Sequence, residues 1–378
     1  MAKLFVTGAT GFLGSAIAPS LLDCARVIAA LHRFNVPREL TETVHEDQIV
    51  CGDLCRPEAM AGDVRLRSVT HAIHCAALAT FADHPGVWPV NVDGTLHLAR
   101  TLQARSSLKR FVHVSTAMSC GMQATSPVCE SFAPGASAIH RVQYTASKAR
   151  CEEQLLRELP DLPLVVARPS IIVGHASLGC QPSPSIFWVF KAAATLRRFT
   201  CDLAQQIDVI PVDYCARAIL TLALKPALAF TRYHISAGPR ASSTYGQICA
   251  ALAPSIGARA DQPYQKVAVS ELAHMQDQFN DLFGPGNKRI LLRALQLYGE
   301  FAALGLTFSN ERMLTEGVPL TTPFEQYAAL CARTTEDLSV FEQMKYDFRG
   351  TRSGESGATI TTASPSNATP YAPAAMAC

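Results

Sequence analysis

The stretch Met1-Ala-Lys-Leu-Phe-Val-Thr-Gly-Ala-Thr-Gly-Phe-Leu-Gly14 decides the fold, because it predicts three kinds of local structure in a fixed order. The apolar run Leu4 to Val6 predicts a short buried strand that stops at the first glycine. A helix-compatible apolar segment, Phe12 to Leu22, follows the glycines. A strand, a glycine turn and a helix in this order are typical of a loop that binds a dinucleotide.

Each of the three glycines in this loop has its own physical role. Gly8 permits the tight turn, and Gly11 leaves no side chain where the backbone approaches a pyrophosphate. Gly14 lets the helix pack close to the strand, and the N-terminus of that helix offers unpaired N–H groups to phosphates. The spacing Gly8-x-x-Gly11-x-x-Gly14 differs from the usual G-x-G-x-x-G pattern. Taken alone, it leaves open a glycine-rich turn in some other α/β protein.

Further apolar runs after the first helix predict more strands of one parallel sheet. They span residues 26–31, 48–51, 70–75, 110–114 and 164–167, and helical patterns separate them. This alternation predicts an α/β fold, a Rossmann-type doubly wound parallel sheet with helices on both faces. Ligands bind such sheets at the carboxyl ends of the strands. The notable residues at these ends are Gly8, Arg33, Asp53, Ala76 with Ala77, and Ser115 with Thr116.

Beyond Pro169 the periodic pattern loosens, and the chain divides into three parts. Residues 1–240 form the predicted dinucleotide-binding domain, in which segments around 175–210 supply a substrate lid. Residues 241–349 are predicted as a smaller, mainly helical C-terminal substrate region. Residues 350–378 are rich in Ser, Thr, Ala and Pro without periodicity, and we expect a disordered tail there.

Two local features near the lid carry expectations of their own. Asp213 follows Pro211-Val212 and is predicted as the N-cap of a helix that runs to Leu224. The aromatic patch Phe187-Trp-Val-Phe190 favours core packing over a substrate groove, although an apolar wall at this place would suit an apolar substrate.

Composition argues against several classes of function. The net charge is +2 with scattered Lys and Arg, so no nucleic-acid partner is expected. The 13 cysteines include no C-x-x-C pair, which favours reduced, mostly buried thiols over metal or disulfide sites. The best apolar run, Ile186 to Leu196, is short and broken by Lys191. We therefore expect a cytosolic protein without a signal peptide or transmembrane segment, and peripheral membrane contact is left open.

Tyr144-Thr-Ala-Ser-Lys148 carries the strongest sign of chemistry, because residues four apart on a helix share one face. The pattern predicts a helix from Tyr144 to about Leu159. A free tyrosine has a pKa of about 10, and a nearby lysine ammonium is expected to lower that pKa. Lys148 can also hold a ribose hydroxyl. This spacing occurs by chance in many helices, so its meaning depends on the surrounding motifs.

Two further places could complete a site around Tyr144. Ser115 and Thr116 end a predicted strand, where a hydroxyl can either hydrogen-bond a substrate carbonyl or cap a turn. Asn91 stands within a helix predicted from Val87 to Gln103, although Asn is a poor helix former. That inconsistency indicates either a role, such as bonding backbone or holding water near Lys148, or plain tolerance.

Several histidines near these motifs also invite catalytic interpretations. His71, His74 and His113 belong to predicted strands. For His74 and His113 a hydrogen-bonded core histidine is the favoured interpretation, because both positions are expected to be buried. His140 lies close to Tyr144 and stays ambiguous.

The order of these motifs resembles the extended short-chain dehydrogenase/reductase superfamily over about residues 4–240. The motifs that carry the resemblance are Thr7-Gly-Ala-Thr-Gly-Phe-Leu-Gly14, Gly52-Asp-Leu54, Cys75-Ala-Ala77, Asn91, Ser115-Thr116, Tyr144-x-x-x-Lys148 and Arg168-Pro-Ser170. The segments most similar to the fatty acyl-CoA reductase and thioester reductase branch are His113-Val-Ser-Thr-Ala117, Ala167-Arg-Pro-Ser-Ile-Ile-Val-Gly174 and Ile210-Pro-Val-Asp-Tyr214. That branch reduces acyl thioesters with NADPH to aldehydes or alcohols.

The resemblance implies a role for each motif. By its spacing to Gly121, Thr116 matches the family's catalytic hydroxyl, with Ser115 as a near rival. Tyr144, Lys148 and Asn91 complete the implied catalytic set. The implied cofactor contacts are Gly8, Thr10, Gly11, Phe12, Leu13, Gly14, Arg33, Asp53, Leu54, Ala76, Ala77, Tyr144, Lys148, Pro169, Ser170 and Ile171. Asp53 would bond the adenine amino group, unless it is a simple loop aspartate.

Arg33 decides which cofactor is expected. Members that prefer NAD place an acid at the end of the second strand, whereas this chain has Leu31-His-Arg33 there and no acid before Glu39. Arg33 either pairs with a 2′-phosphate or lies solvated at the surface. NADPH is therefore expected in preference to NAD(H).

The sequence thus predicts an NADPH-dependent reductase. Its expected substrate is an acyl thioester of coenzyme A or of an acyl carrier protein, or another small carbonyl compound. A sterol-like or flavonol-like alcohol or ketone, a nucleotide sugar epimerised or dehydrated with NAD, and a non-catalytic NAD(P)-sensing protein are the alternatives. The missing acid near Arg33 argues against the nucleotide sugar. A homodimer is left open.

Overall fold

The computed structural model describes residues 2–18, 26–31, 45, 48–56, 62–131, 133, 138–181, 183 and 185–349. The strands are β1 (Lys3–Thr7), β2 (Arg26–Leu31), β3 (Ile49–Cys51), β4 (His71–His74), β5 (Arg110–Val114), β6 (Leu164–Pro169), β7 (Ile171–Ile172), β8 (Arg198–Phe199), β9 (Gln206–Ile207), β10 (Val209–Ile210), β11 (Arg232–Ile235), β12 (Ser243–Thr244) and β13 (Gln265–Lys266). The α-helices are α1 (Phe12–Ile17), α2 (Thr95–Arg105), α3 (Gln143–Glu158), α4 (Phe187–Leu196), α5 (Val212–Leu224), α6 (Gly238–Ala241), α7 (Tyr245–Ile256), α8 (Phe279–Phe283), α9 (Lys288–Ala303), α10 (Glu311–Thr315), α11 (Phe324–Arg333) and α12 (Val340–Arg349). Segments Val64–Ser68, Ala117–Cys120, Gly257–Asp261 and Val269–Gln278 are 3₁₀-helical, and Pro89–Gly94 is a π-helix.

In the described part of the chain, seven strands form one parallel sheet in the order β11-β6-β5-β4-β1-β2-β3. β1 pairs with β2 on one side, with Lys3 opposite Arg26, and with β4 on the other, with Leu4 opposite His71. The chain therefore runs outward from β1 to β3 and then returns to the far side of β1. This reversal opens a crevice at the carboxyl ends of β1 and β4, where open α/β sheets bind ligands. The predicted doubly wound parallel sheet is confirmed.

Alternate residues of β1 pack into different cores on the two faces of the sheet. Leu4 and Val6 share a core with α5, whereas Phe5 belongs to the core that α2 and α3 cover. Successive side chains of a strand point to opposite faces, so this alternation follows from the sequence pattern. Helices cover both faces, as a buried parallel sheet requires.

A third core joins the predicted lid to the C-terminal helices. Trp188 of α4 is fully buried in it, together with residues of α7, α9 and α11. The patch Phe187–Phe190 is therefore core, as predicted, and Val189 and Phe190 also face a cavity. The region after residue 241 is mainly helical. The domain boundary at residue 240 stays a prediction. Among the described helices, none combines the length and the apolarity needed to cross a membrane.

Two predictions about helices need correction. Asp213 is not an N-cap, because α5 begins at Val212 after Pro211. Its carboxylate instead accepts the amide of Ala176 at 2.9 Å and pairs with Arg217 at 3.0 Å, so it ties a loop to the helix. The helix predicted over residues 87–103 is two segments, the π-helix followed by α2. Arg33, the tail from residue 350 and the predicted end of the first helix lie outside the described residues.

Candidate active site

The glycine loop between β1 and α1 is packed so closely that two of its glycines admit no side chain. Gly8 has a φ of 73°, and a Cβ there would lie 2.7 Å from the backbone nitrogen of Ala76. A Cβ on Gly14 would lie 2.0 Å from the carbonyl oxygen of Gly8. For Gly11 the nearest such contact is 3.3 Å. Gly8 and Gly14 therefore shape the loop, whereas Gly11 leaves open space on its surface.

A single cavity of about 1990 Å³ extends from this loop to the C-terminal helices. It passes the carboxyl ends of β5 and β6 and the N-terminal half of α3. The predicted site residues in its lining are Gly8, Thr10, Gly11, Phe12, Leu13, Gly14, Ala77, Ser115, Thr116, Tyr144, Lys148, Pro169, Ser170 and Ile171. The fold therefore brings the predicted cofactor and catalytic motifs to one continuous surface.

Three predicted cofactor residues, Asp53, Leu54 and Ala76, are absent from the lining of this cavity. The Asp53 carboxylate accepts the amide of Cys55 at 2.9 Å in the turn after β3. Leu54 is buried in the core against Gly94, and the backbone of Ala76 packs on Gly8. Their contacts with a cofactor, like those of Arg33, stay predictions.

Tyr144 and Lys148 both face the cavity from α3. The Lys148 ammonium is buried and donates to the carbonyl oxygen of Val114 at 2.7 Å. Burial lowers the pKa of Lys148 and raises the pKa of Tyr144 to about 12. The expected lowering of the tyrosine pKa by lysine is therefore not seen in this structure, where the cause of the shift is removal of the phenol from water. A protonated tyrosine at neutral pH suits the role of proton donor.

The two rival hydroxyls, Ser115 and Thr116, have different surroundings. Ser115 is buried and donates to the carboxylate of Glu152. Glu152 also forms a fully buried ion pair with Arg168 at 2.5 Å. Thr116 caps the following 3₁₀ segment, where its Oγ1 accepts the amide of Met118 at 3.3 Å. Thr116 also lines the cavity, and among the described residues its O–H proton has no acceptor. The geometry favours Thr116 for contact with a substrate.

Sequence reasoning missed the pair of Glu152 and Arg168, although both positions carried a signal. Glu152 lies four residues after Lys148 on the same face of α3. Arg168 belongs to the segment that ends β6. The pair holds the Ser115 hydroxyl, and through that residue it contacts the lining of the cavity.

The Asn91 side chain forms hydrogen bonds with backbone atoms, which is one of the two roles considered for it. Its Oδ1 accepts the amide of Leu78 at 2.8 Å, and its Nδ2 donates to the carbonyl oxygen of Leu78 at 3.2 Å. Nδ2 also donates to the Ser147 hydroxyl at 3.0 Å. Asn91 lies in a π-helix and not in an α-helix, which is why a poor α-helix former is accommodated at this position. Such π-helical turns are rare and often occur at functional sites. Asn91 thus binds the loop after β4 to the catalytic helix.

An aromatic wall, formed by Phe81, Tyr298 and Phe301, covers Tyr144. The ring of Phe81 lies 6.3 Å from Tyr144, 5.2 Å from Tyr298 and 5.5 Å from Phe301, measured between centroids. Tyr298 and Phe301 come from one face of α9, which also lines the cavity with Ile290, Arg293, Ala294, Leu297 and Ala302. The helical spacing of the apolar residues could have predicted this face of α9 from the sequence. It could not have predicted that the face lies near Tyr144.

The four histidines near the predicted site differ in burial and in hydrogen bonding. His74 is fully buried and hydrogen-bonded through both ring nitrogens, as predicted. His113 is equally buried, but within the described part of the chain neither ring nitrogen has a partner. Burial lowers the pKa of His74 to about 3 and that of His113 well below its usual value. His140 is half-buried, with Nδ1 3.2 Å from the Thr145 hydroxyl, and His71 lies at the start of β4.

A family model described as Male sterility protein matches residues 6–219, which is more than half of the chain. The chain belongs to this family. Male sterility family proteins are NAD(P)-binding reductases of the extended short-chain dehydrogenase/reductase superfamily, and within it this chain is similar to thioester reductases and fatty acyl-CoA reductases. The superfamily and branch indicated by the motifs are confirmed.

The relatives of this male sterility family protein include nonribosomal peptide synthetases, aldehyde reductases and fatty acyl-CoA reductases. A non-canonical nonribosomal peptide synthetase, hkm10 of Aspergillus hancockii, is 25% identical over 268 residues, which are 62% of this chain and 26% of that protein. The fatty acyl-CoA reductase wat of Drosophila melanogaster is 24% identical over 284 residues, covering 58% of this chain and 53% of that protein. The chain thus spans about a quarter of the first relative and about half of the second.

A solved structure shows the same fold. The terminal R domain from the myxalamid PKS-NRPS biosynthetic pathway superposes with a TM-score of 0.69 at 20% identity, over 89% of this chain and 90% of that domain. The agreement extends beyond the parallel sheet into the C-terminal helices, because the family model ends at residue 219 while the superposition covers most of the chain.

Proposed function

We propose that this protein uses NADPH to reduce an acyl thioester, carried on phosphopantetheine or coenzyme A, to an aldehyde or an alcohol. One observation carries the proposal: a single cavity of about 1990 Å³ joins the glycine loop, Tyr144 and an apolar wall. A cofactor and a long apolar acyl group can therefore occupy one continuous space. The family relationship supports the reductase chemistry, and the relatives named above support the substrate class.

The residues around the glycine loop fit a nicotinamide dinucleotide. Gly8 and Gly14 leave no room for a Cβ, and the N-terminus of α1 follows them directly, which is the arrangement that binds a pyrophosphate. Arg33 would pair with the 2′-phosphate of NADPH. The bound cofactor supplies a hydride to the carbonyl carbon of the thioester.

The chain's own residues then handle the carbonyl oxygen. Thr116 donates a hydrogen bond to it and polarises the bond. Tyr144 gives it a proton, for which the raised pKa is suited, since the group is protonated at neutral pH. Lys148, which lines the same cavity, would hold the ribose of the bound cofactor. The resulting hemithioacetal loses the carrier thiol as its C–S bond breaks, which leaves the aldehyde.

The substrate side is built by the lid segments around 175–210 and by residues 241–349. Val189 and Phe190 of α4 and Leu297 of α9 line the cavity, and together with the aromatic wall they offer an apolar surface to an acyl group. Arg293 and Lys345 are exposed and also line the cavity. Two exposed cations in the lining of the same cavity suit the phosphate of a carrier arm.

The test is an NADPH-oxidation assay over acyl pantetheine, acyl phosphopantetheine and acyl-CoA thioesters of increasing chain length, with identification of the product. We expect turnover of thioesters and none of nucleotide sugars or sterols. Tyr144→Phe is expected to lower kcat by at least about 100-fold, the scale of one general acid, and to leave NADPH affinity unchanged.

Tyr327→Phe is the matched control, because Tyr327 is a buried tyrosine of α11 outside the cavity lining. It removes a phenolic hydroxyl elsewhere and is expected to keep full activity. A fully active Tyr144→Phe variant would refute the mechanism. Turnover of a nucleotide sugar without net NADPH consumption would refute the substrate class.

A further inference from the structure

A buried chain of hydrogen bonds runs through His74 from β1 to the π-helix. The Thr7 hydroxyl lies 2.7 Å from Nδ1 of His74, and Nε2 of His74 lies 2.8 Å from the Thr95 hydroxyl. Thr95 in turn donates to the carbonyl oxygen of Asn91 at 2.9 Å. Thr7, His74, Thr95 and Asn91 are each at most 2% exposed. Buried polar groups are costly unless they are bonded, so this chain is a maintained feature of the fold.

The chain allows only one arrangement of protons around His74. The single hydroxyl proton of Thr95 goes to the Asn91 carbonyl oxygen, which can only accept. Thr95 must therefore accept from Nε2–H of His74. A neutral ring then accepts the Thr7 hydroxyl proton at Nδ1. The imidazole thus accepts a hydrogen bond from Thr7 and donates one to Thr95.

Each end of the chain reaches a different part of the active site. Thr7 directly precedes Gly8, and its hydroxyl also accepts the amide of Ala76 at 3.3 Å. At the other end, Asn91 donates to the Ser147 hydroxyl at 3.0 Å, and Ser147 donates to the backbone carbonyl oxygen of Tyr144 at 2.8 Å. One end therefore holds the glycine loop, and the other holds the catalytic helix.

We propose that His74 is a positioning residue that couples the dinucleotide loop to the helix of the catalytic tyrosine, one through each ring nitrogen. This role rests on the proposed function only in taking Tyr144 as the catalytic group. His74 touches neither the cavity nor the reacting atoms, because it is absent from the lining. It acts by fixing where Gly8 and Asn91 sit.

The two halves of the coupling can be separated by substitution. An asparagine amide oxygen can take the place of the near ring nitrogen, Nδ1, and still accept from Thr7. A glutamine amide nitrogen can take the place of the far ring nitrogen, Nε2, and still donate to Thr95. His74→Asn therefore keeps the Thr7 arm, His74→Gln keeps the Thr95 arm, and His74→Leu removes both.

The experiment measures cofactor affinity and kcat for all three variants. We expect His74→Asn to lower kcat about tenfold with little change in the cofactor Kd, and His74→Gln to raise that Kd about tenfold with little change in kcat. Tenfold corresponds to about 1.4 kcal/mol, the scale of one buried hydrogen bond that is lost. His74→Leu is expected to show both losses.

Hydrogen exchange gives a readout that needs no acyl substrate, so failure of the proposed function is distinguishable. The amide of Leu78 is bonded to Asn91, so His74→Asn should speed its exchange, whereas His74→Gln should speed exchange in the glycine loop. His113→Leu is the matched control, since its ring stacks on His74 at 5.9 Å and neither nitrogen is bonded in the described part of the chain. It is expected to change neither constant.

Equal effects of His74→Asn and His74→Gln on both constants and both peptides would overturn the proposal. So would a His74→Leu variant that lowers only the melting temperature, because a purely structural histidine would give that result.

Discussion

Replacement of Gly14 by alanine is the sharpest test of how the glycine loop is built. Its Cβ would lie 2.0 Å from the carbonyl oxygen of Gly8 and 2.7 Å from the Cα of Ala9. Real Cβ atoms stay beyond about 3.0 Å from such neighbours, so α1 must move away from the loop by about 1 Å. Both partners are backbone, and no side chain can rotate to relieve the contact.

The size of the effect follows from that displacement. Overpacking of this kind lowers the free energy of unfolding by about 1–3 kcal/mol. In a large domain each kcal/mol lowers the melting temperature by about 2–4 °C. The shift also carries the N-terminus of α1 away from the bound pyrophosphate, which we expect to weaken cofactor binding by at least about tenfold, or 1.4 kcal/mol.

Gly11→Ala is the matched comparison from the same loop. Gly11 has φ −78° and ψ 169°, which alanine adopts without strain, and the nearest contact of a Cβ is 3.3 Å. The free energy of unfolding should therefore change by no more than about 0.5 kcal/mol. Cofactor affinity should still fall about tenfold, because the methyl group occupies the surface that the pyrophosphate approaches.

The assay combines thermal unfolding without cofactor and fluorescence titration with NADPH and with NADH. The predicted pattern is loss of both stability and affinity for Gly14→Ala, and loss of affinity alone for Gly11→Ala. A Gly14→Ala variant with the wild-type melting temperature and affinity would refute the packing argument. Full affinity in Gly11→Ala would show that the cofactor does not approach this part of the loop.

Two further predictions concern buried charge and ionisation. The pKa of His113 is lowered by burial, so below about pH 6.5 the unfolded chain binds a proton that the native state excludes, and stability falls as the pH is lowered. His113→Leu should therefore reduce the loss of unfolding free energy between pH 6 and pH 5 by up to about 1.4 kcal/mol, as measured by denaturant titrations. An unchanged dependence of the unfolding free energy on pH would contradict this. Arg168→Met strands the buried carboxylate of Glu152 and should lower the free energy of unfolding by about 3–5 kcal/mol. The control Arg100→Met breaks an exposed pair with Glu158 and should change it by less than about 1 kcal/mol, so equal effects would count against the argument.

Much of the sheet and of the cofactor loop could be predicted from local pattern. Apolar runs at residues 26–31 and 110–114 are strands with the predicted bounds. Tyr144 and Lys148 lie on one helix facing one cavity, because a spacing of four places them on the same face of any helix. The glycine spacing likewise indicated close packing before any contact was known.

Contacts between distant segments could not be predicted in this way. Ser115 and Thr116 are adjacent and chemically alike, and only the approach of Glu152, 37 residues later, engages one hydroxyl and leaves the other to the cavity. The start of α5 at Val212 in place of Asp213 is another case, since Asp213 bonds the amide of Ala176. Such contacts depend on how whole helices and strands pack together, and a short stretch of sequence holds no information about that packing.

By itself the sequence determined that a strand, a glycine loop and a helix form a dinucleotide-binding unit with a tyrosine and a lysine nearby, since sterics and hydrophobic period act over a few residues. The tertiary structure alone decided the state of that tyrosine. Tyr144 lies beside the ring of Phe81, and its burial among distant segments raises its pKa to about 12, where the isolated motif predicted a fall. The physical reason is that desolvation depends on everything that surrounds a group, whereas a motif describes only its neighbours along the chain.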